Sequence, residues 1–164
     1  MDKADFTCRV LNAESSLYRV AKTILINDAD CEDAVQETIL RAWERRDSLR
    51  QPEYFKTWLT RILINECSRL ARKRPDTVAL EDCGELAAPD GGVVDTALRE
   101  GILRLPRKLR TAVVLYYIEG YSVQETARLT RVPPGTVKSR LSKARSLLRV
   151  RLIDSDDGGN YETV

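Results

Sequence analysis

The chain has 164 residues, of which 43% are hydrophobic and 32% are charged, and its formal net charge is +2 at pH 7. This length suits one domain or two small ones, and this composition is typical of a soluble folded protein. The nearly neutral total indicates no particular partner. Because there is no long apolar run and no charged-then-apolar start, we expect neither membrane insertion nor a signal peptide.

Cysteine and histidine content argues against a metal centre. The four cysteines are Cys8, Cys31, Cys67 and Cys83, with no CxxC pair, and the chain has no histidine. The spacings typical of zinc sites are therefore absent. We expect reduced, mostly buried thiols in a cytosolic protein, with no metal and no cofactor, and a redox role is the less favoured alternative.

Helical spacing of apolar residues predicts three helices in the first part of the chain. The first covers residues 6–26, and the second begins at Asp30, a good N-cap. Pro52 suits the first turn of the third helix, which ends in a basic cluster at residues 72–74.

The composition changes at Pro75. Residues 75–94 are acidic, contain Pro and Gly and have weak periodicity, which predicts a linker. Fully extended at ~3.3 Å per residue, residues 73–94 would span roughly 70 Å, or about two turns of DNA at roughly 34–36 Å each.

Helical spacing returns at about Asp95. Pro106 is predicted to begin a helix that runs to Gly120, which suits a C-cap. Ser122 and Glu125 match the S-x-x-E capping box and predict the start of a short helix.

The last predicted helix runs from Pro134 to Ile153, and the polar tail, residues 154–164, is predicted to be disordered. No segment has strand periodicity, and no internal repeat is present. The sequence thus predicts an all-α chain with two small helical domains, residues 1–74 and 95–153, joined by a flexible acidic linker at residues 75–94.

The second domain contains a helix-turn-helix candidate, made of the short capped helix, the break RVPPG and the last helix. After Glu125 the next carboxylate is Asp154, so the stretch between them is basic. Spacings of three and four predict the core stripe of the last helix: Val137, Leu141, Ala144, Leu148 and Leu152.

This stripe predicts which basic and polar side chains of the last helix face outward. The first two turns of a recognition helix meet base edges, and the predicted readers there are Lys138, Ser139, Ser142 and Lys143. The predicted phosphate contacts are Thr136 at the helix start and Arg140, Arg145 and Arg149 beyond it. The plainer alternative is a solvated basic face, but the capping box, the Pro-Gly turn and the one-sided charge favour DNA binding.

The stretch YSVQETARLTRVPPGTVKSRLSKARSLLR resembles the region 4 helix-turn-helix of sigma factors of the extracytoplasmic-function group, a branch of the sigma-70 family. In outline the match is shared with response regulators, so a repressor or activator that is not a polymerase subunit stays an alternative. A non-DNA adaptor also stays open. An enzyme is the least favoured class, because the sequence offers no Gly-rich phosphate loop and no nucleophile–base set.

The segment DAVQETILRAWER resembles sigma region 2.2, which binds the coiled coil of the polymerase β′ subunit. Asp33, Gln36 and Glu37 lie at i, i+3 and i+4 and share one helix face with Arg41, opposite the apolar side. By resemblance these four residues bind polymerase. A solvated face with a Glu37–Arg41 pair is the alternative.

The segment FKTWLTRILINECSRLARKR resembles regions 2.3 and 2.4, which open the minus-10 element and hold an extruded base. By resemblance, the capture loop is residues 48–56, beginning with Ser48, Leu49 and Arg50. Arg61, Asn65 and Arg69 recur at i, i+4 and i+8 and form one stripe, the predicted minus-10 contact. Phe55 and Trp58 are interpreted as core aromatics.

The resemblance covers residues 10–152, with both domains in the expected order. It implies an alternative sigma factor that binds the β′ and β subunits of core RNA polymerase and directs transcription initiation at specific promoters. It also implies an anti-sigma factor as a partner. The implied location is the cytoplasm, where a membrane-bound anti-sigma factor can hold the protein at the membrane.

Overall fold

The computed structural model describes residues 1–73 and 96–157. They hold seven α-helices and no strand, so the predicted all-α class is confirmed. The chain divides into two compact units, Met1–Ala87 (unit 1) and Ala88–Val164 (unit 2). The predicted linker and the last seven residues of the predicted tail lie outside the described residues.

Three helices that pack against one another form the described part of unit 1: α1 (Lys3–Ile24), α2 (Asp28–Glu44) and α3 (Phe55–Lys73). The Asp2 carboxylate caps α1 by accepting a hydrogen bond of 2.8 Å from the Asp5 amide. Each helix buries one apolar stripe between the others. The most buried side chains of this core are Leu17, Val20, Cys31, Leu59 and Leu63.

The start of α2 differs from the prediction. Asn27, not Asp30, is the N-cap, and its side-chain oxygen accepts from the amides of Ala29 and Asp30 at 2.8 and 3.3 Å. Asn and Asp are nearly equal as caps, so residue type alone does not decide between them. Because α1 ends with its C-cap at Leu25, Asn27 is the first residue after the turn that can cap a helix, and α2 begins directly after it.

Two 3-10 turns, Arg46–Ser48 and Pro52–Tyr54, connect α2 to α3. Pro52 was predicted to lie in the first turn of the third helix, but it begins the second 3-10 turn, and α3 itself starts at Phe55. Arg9 of α1 ties this connection down by donating from Nη1 to the Pro52 carbonyl oxygen at 3.1 Å. Aromatic rings close the same end of the bundle, since Phe6 lies edge-on to the rings of Trp43 and Phe55.

Unit 2 contains α4 (Thr96–Leu103), α5 (Arg107–Val113), α6 (Val123–Thr130) and α7 (Pro134–Asp157). Helix α7 contacts the other three, so it is the central element of this unit. Gly101 lets α4 approach α7 closely, because a Cβ there would lie 3.0 Å from Leu148 Cδ2. The core around them consists of Ile102, Leu105, Leu109, Ala112, Val113, Val114, Ala127, Val137, Leu141 and Ala144.

One helix was predicted from Pro106 to Gly120, but the structure divides this segment. Pro106 is the N-cap of α5, and α5 gives way after Val113 to a π-helical turn over Val114–Ile118. There the Glu119 amide donates to the Val114 carbonyl, five residues back, at 2.9 Å. A π turn has almost the same apolar spacing as an α-helix over so short a length, so periodicity does not reveal it. Gly120 has a φ of +78°, which fits its predicted place at the end of the helix.

The turn between α6 and α7 depends on backbone geometry. The capping box that starts α6 is present as predicted, with Ser122 Oγ accepting from the Glu125 amide and Glu125 Oε2 accepting from the Ser122 amide. Helix α6 ends at Arg131, which is in the left-handed region with a φ of 56°. Helix α7 then begins at Pro134 and continues to Asp157, four residues past the predicted end.

Candidate DNA and partner interfaces

The recognition-helix candidate α7 has a sharply divided surface over its first three turns. Val137, Leu141 and Ala144 are buried, at 0%, 3% and 0% exposure. The four predicted base readers, Lys138, Ser139, Ser142 and Lys143, are all exposed. Leu148 and Leu152, the later members of the predicted stripe, are half-buried, because only part of this length of α7 is covered. The buried stripe therefore turns the predicted readers toward solvent.

The start of α7 orients two of the predicted DNA contacts. Ser139 Oγ donates to the Gly135 carbonyl at 3.1 Å, which leaves the hydroxyl oxygen as an acceptor. The Thr136 amide already donates to the Pro133 carbonyl at 3.0 Å. A phosphate contact at Thr136 would therefore use the hydroxyl, not the amide.

The predicted phosphate contacts on α7 differ in their surroundings. Arg140 is half-buried, while Arg145 and Arg149 are exposed. Arg145 Nη1 donates to the hydroxyl oxygen of Tyr117 at 2.9 Å, which fixes the arginine from the π-helical turn. The sequence interpretation did not include Tyr117 in the site. Tyr117 lies within the helix predicted to run from Pro106 to Gly120, and in the structure it is on the π-helical turn and 51% exposed.

The polar face of α2 separates into an outer and an inner part. Asp33 and Gln36 are exposed, and Glu37 is half-buried. Arg41 lies on this face as predicted from the spacing, with its side chain 34% exposed against 37% for Glu37, and it also pairs with the next helix. Its Nε lies 2.7 Å from Glu37 Oε1, and its Nη1 lies 2.7 Å from Oε1 of Glu66 on α3. The hydrogen bond with Glu37 raises the pKa of the Arg41 guanidinium above its usual range.

The predicted minus-10 stripe on α3 is present as a surface. Arg61 and Asn65 are exposed, and the Arg69 side chain is 41% exposed. Arg69 is held by Glu66, whose Oε2 lies 3.0 Å from both Nε and Nη2 of the arginine. The sequence interpretation missed Glu66. The sequence offers one signal for it, a position three residues before Arg69 and among apolar neighbours. That signal indicates a buried acid only when a partner on another helix is known.

The predicted capture loop, residues 48–56, covers most of the connection between α2 and α3, and its last two residues belong to the first turn of α3. Ser48 and Arg50 are exposed and Leu49 is half-buried. Ser48 Oγ donates to the Arg45 carbonyl at 2.7 Å, which closes the first 3-10 turn. Just before the loop, the Arg46 guanidinium lies 4.0 Å from the centre of the Trp43 ring.

Three aromatic residues lie within or next to the capture loop. Phe55 is buried, as the core interpretation requires, and Trp58 is half-buried. Tyr54, the last residue of the second 3-10 turn, is 53% exposed.

The cysteines behave as packing residues where the structure describes them. Cys31 and Cys67 are buried, and Cys8 is exposed. Burial raises the pKa of the Cys31 thiol to about 11, and it also raises the pKa of the Cys67 thiol. Over residues 1–73 and 96–157, no group of three Cys, Asp or Glu side chains is placed to hold a metal ion. Within the same ranges, no helix is long and apolar enough to span a bilayer.

Two family models match the chain, one for each unit. The model described as Sigma-70 region 2 matches residues 12–76, and the model described as Sigma-70, region 4 matches residues 95–148. The first match contains the α2 face, the capture loop and the α3 stripe, and the second contains the helix-turn-helix.

Two curated proteins and one solved structure give the same picture. The chain is 38% identical over 135 residues to the ECF RNA polymerase sigma factor SigM of Mycobacterium tuberculosis, covering 80% of this chain and 69% of that one. It is 33% identical over 159 residues to the ECF RNA polymerase sigma factor SigW of Bacillus subtilis, covering 86% and 85%. The sigma factor RpoE of Bartonella quintana, solved in complex with the anti-sigma factor NepR, matches with a TM-score of 0.75 at 30% identity, covering 90% and 96%.

Proposed function

The chain belongs to the sigma-70 family, in its extracytoplasmic-function group, and from this we propose how its two units divide the work of a sigma factor. The protein is an RNA polymerase sigma factor that binds core polymerase and directs transcription initiation at specific promoters. Its chemistry is recognition and DNA opening. We assign it no catalytic step of its own.

Unit 2 reads the minus-35 element with α7. One observation carries this assignment. On the same turns of α7, one side is buried in the core, and the other side exposes Lys138, Ser139, Ser142 and Lys143. No carboxylate occurs between Glu125 and Asp154, so nothing on this stretch repels phosphate. The lysines donate to guanine O6 and N7, and the serines donate or accept. Thr136, Arg140 and Arg145 contact phosphates and set the register.

Unit 1 docks on polymerase and opens the minus-10 element. The exposed side chains of Asp33 and Gln36, together with half-buried Glu37, form an acidic and polar surface that suits a basic coiled coil of the β′ subunit. Arg41 borders this surface and pairs with Glu37, with its side chain 34% exposed.

The minus-10 contacts of unit 1 come from α3 and the loop before it. Arg61, Asn65 and Arg69 line one surface of α3, the helix that follows the loop beginning with Ser48, Leu49 and Arg50. An extruded base loses stacking that costs a few kcal/mol, which contacts from this loop must replace.

The protein acts in the cytoplasm, where core polymerase and promoter DNA are found. An anti-sigma factor that covers the polymerase-binding and DNA-binding surfaces keeps it inactive, in line with the RpoE–NepR complex. A membrane-anchored form of that partner would hold the protein at the membrane without any insertion of its own helices.

Transcription in vitro tests the assignment. Purified protein is mixed with core RNA polymerase and a library of promoter fragments, and start sites are mapped. We expect defined starts that need both the protein and the core enzyme, each preceded by two conserved boxes. Tight and specific binding of the isolated protein to duplex DNA, with no transcription when core enzyme is added, would instead identify a repressor or activator and overturn the assignment.

A further inference from the structure

Glu66 is a buried carboxylate at the junction of α2 and α3. Its side chain is 4% exposed. Each of its two oxygens is taken by an arginine: Oε1 lies 2.7 Å from Arg41 Nη1, and Oε2 lies 3.0 Å from Nε and Nη2 of Arg69. The charge is thus fully compensated, as a buried anion requires.

A compensated buried ion pair is weak evidence for stability, because desolvation of the charges offsets most of their attraction. Apolar residues of similar volume often serve a core as well. A charge kept in such a place is better explained by the geometry that it imposes on its partners.

That geometry is imposed on one arginine in particular. Arg41 is bound on two sides, by Glu37 and Glu66, and so anchors the carboxylate from α2. Arg69 is bound to Glu66 through one edge of its guanidinium, while 41% of its side chain remains exposed. It is therefore held at a defined position on the surface that also carries Arg61 and Asn65.

We propose that Glu66 is a positioning residue that holds the Arg69 guanidinium in place for a phosphate of the minus-10 DNA, with Arg41 as the anchor. The proposal rests on the assignment of the α3 stripe to DNA in the preceding section. A long arginine side chain otherwise loses much rotamer freedom on binding, so fixing it beforehand favours the contact.

The test measures the salt dependence of promoter opening by reconstituted holoenzyme at saturating core polymerase. Each phosphate contact to a single strand contributes roughly 0.7 to the slope of log K against log salt, and each contact to duplex roughly 0.9. The variants are Glu66→Gln, Arg69→Gln and the double variant. Glu14→Gln on α1 is the matched control, because Glu14 is an exposed acid of the same unit.

We expect Arg69→Gln and Glu66→Gln each to lower the slope by that single-contact amount, and the double variant to lower it no further. Glu14→Gln should keep the wild-type slope. Non-additivity is the decisive readout, since a carboxylate that only stabilises the fold would not share its effect with Arg69. If Glu66→Gln does not fold, Glu66→Asp takes its place in the same comparison. It keeps the charge on a shorter side chain, and the same lowered slope is expected of it.

Four outcomes would overturn the proposal, and the first is additivity, in which the double variant lowers the slope by the sum of the two single changes. A wild-type slope for folded Glu66→Gln, with a lowered slope for Arg69→Gln, leaves the DNA assignment intact and removes the role of Glu66. Stronger opening by Glu66→Gln would show that the carboxylate restrains Arg69. An unchanged slope for Arg69→Gln would remove both this proposal and the assignment of Arg69 to DNA.

Discussion

Truncation of Lys138 or Lys143 to alanine should weaken and broaden minus-35 recognition. Both side chains are exposed on α7, one residue after the buried Val137 and one before the buried Ala144. Their removal leaves the core of unit 2 untouched, so we expect stability to change by at most about 0.5 kcal/mol, which shifts the thermal midpoint by no more than roughly 4 °C. The effect should therefore fall on DNA binding alone.

The expected loss follows from the kind of contact. A good base contact is worth about 1–3 kcal/mol of discrimination, which corresponds to roughly 5- to 150-fold in affinity for the preferred promoter. On templates altered at the base pair that the lysine reads, the alanine variant should lose less affinity, because the wild-type lysine makes no favourable base contact there. Arg145→Ala should behave differently. It should weaken all templates about equally and lower the salt slope by about 0.9.

The assay is holoenzyme binding to a panel of single-base variants of one promoter, measured at several salt concentrations. Lys108→Ala is the matched control, since Lys108 is an exposed lysine of α5 in the same unit. Uniform weakening by Lys138→Ala and Lys143→Ala across the panel would place both lysines on phosphates. Unchanged binding would refute the assignment of α7 as the recognition helix.

Three further predictions concern other surfaces and the core. Asp33→Ala should reduce capture of the protein by immobilised core polymerase without lowering its thermal midpoint, because Asp33 is exposed. Capture at the wild-type level would contradict the docking surface. Thr126→Val should raise the stability of the fold by about 1 kcal/mol, since the buried Thr126 hydroxyl has no hydrogen-bond partner among the described residues; a lower thermal midpoint would disprove this. At pH 8 iodoacetamide should modify Cys8 well before Cys31, whose buried thiol ionises only near pH 11, and mass spectrometry of the labelled peptides reports the order.

Local signals in the sequence were sufficient where a short motif decides a local structure by itself. Ser122 and Glu125 form the predicted capping box because the motif is complete within four residues. Where several residues compete for one role, the sequence was insufficient. Asn27 caps α2 instead of Asp30 because the end of α1 fixes where the chain turns, and that is a tertiary fact.

The candidate site shows the same division. The outward position of Lys138 and Lys143 follows from the spacing of three apolar residues on a single helix, which periodicity captures. The second ion pair of Arg41 is with Glu66, which lies on another helix and farther along the chain. Contacts of that kind become visible only when two helices are packed together.

The π turn at Val114–Ile118 has a consequence for comparisons between relatives. Such a turn holds one residue more than the α-helical turn that it replaces. A relative with a regular helix at this point is therefore one residue shorter, and its alignment with this chain needs a gap inside the turn. If the gap is instead placed in the loop before α6, every residue of this chain between the π turn and that loop is aligned with the wrong residue of the relative, one position away. The residue paired with Tyr117 would then be one that faces another side of the helix, and its coupling to Arg145 would be lost from the comparison.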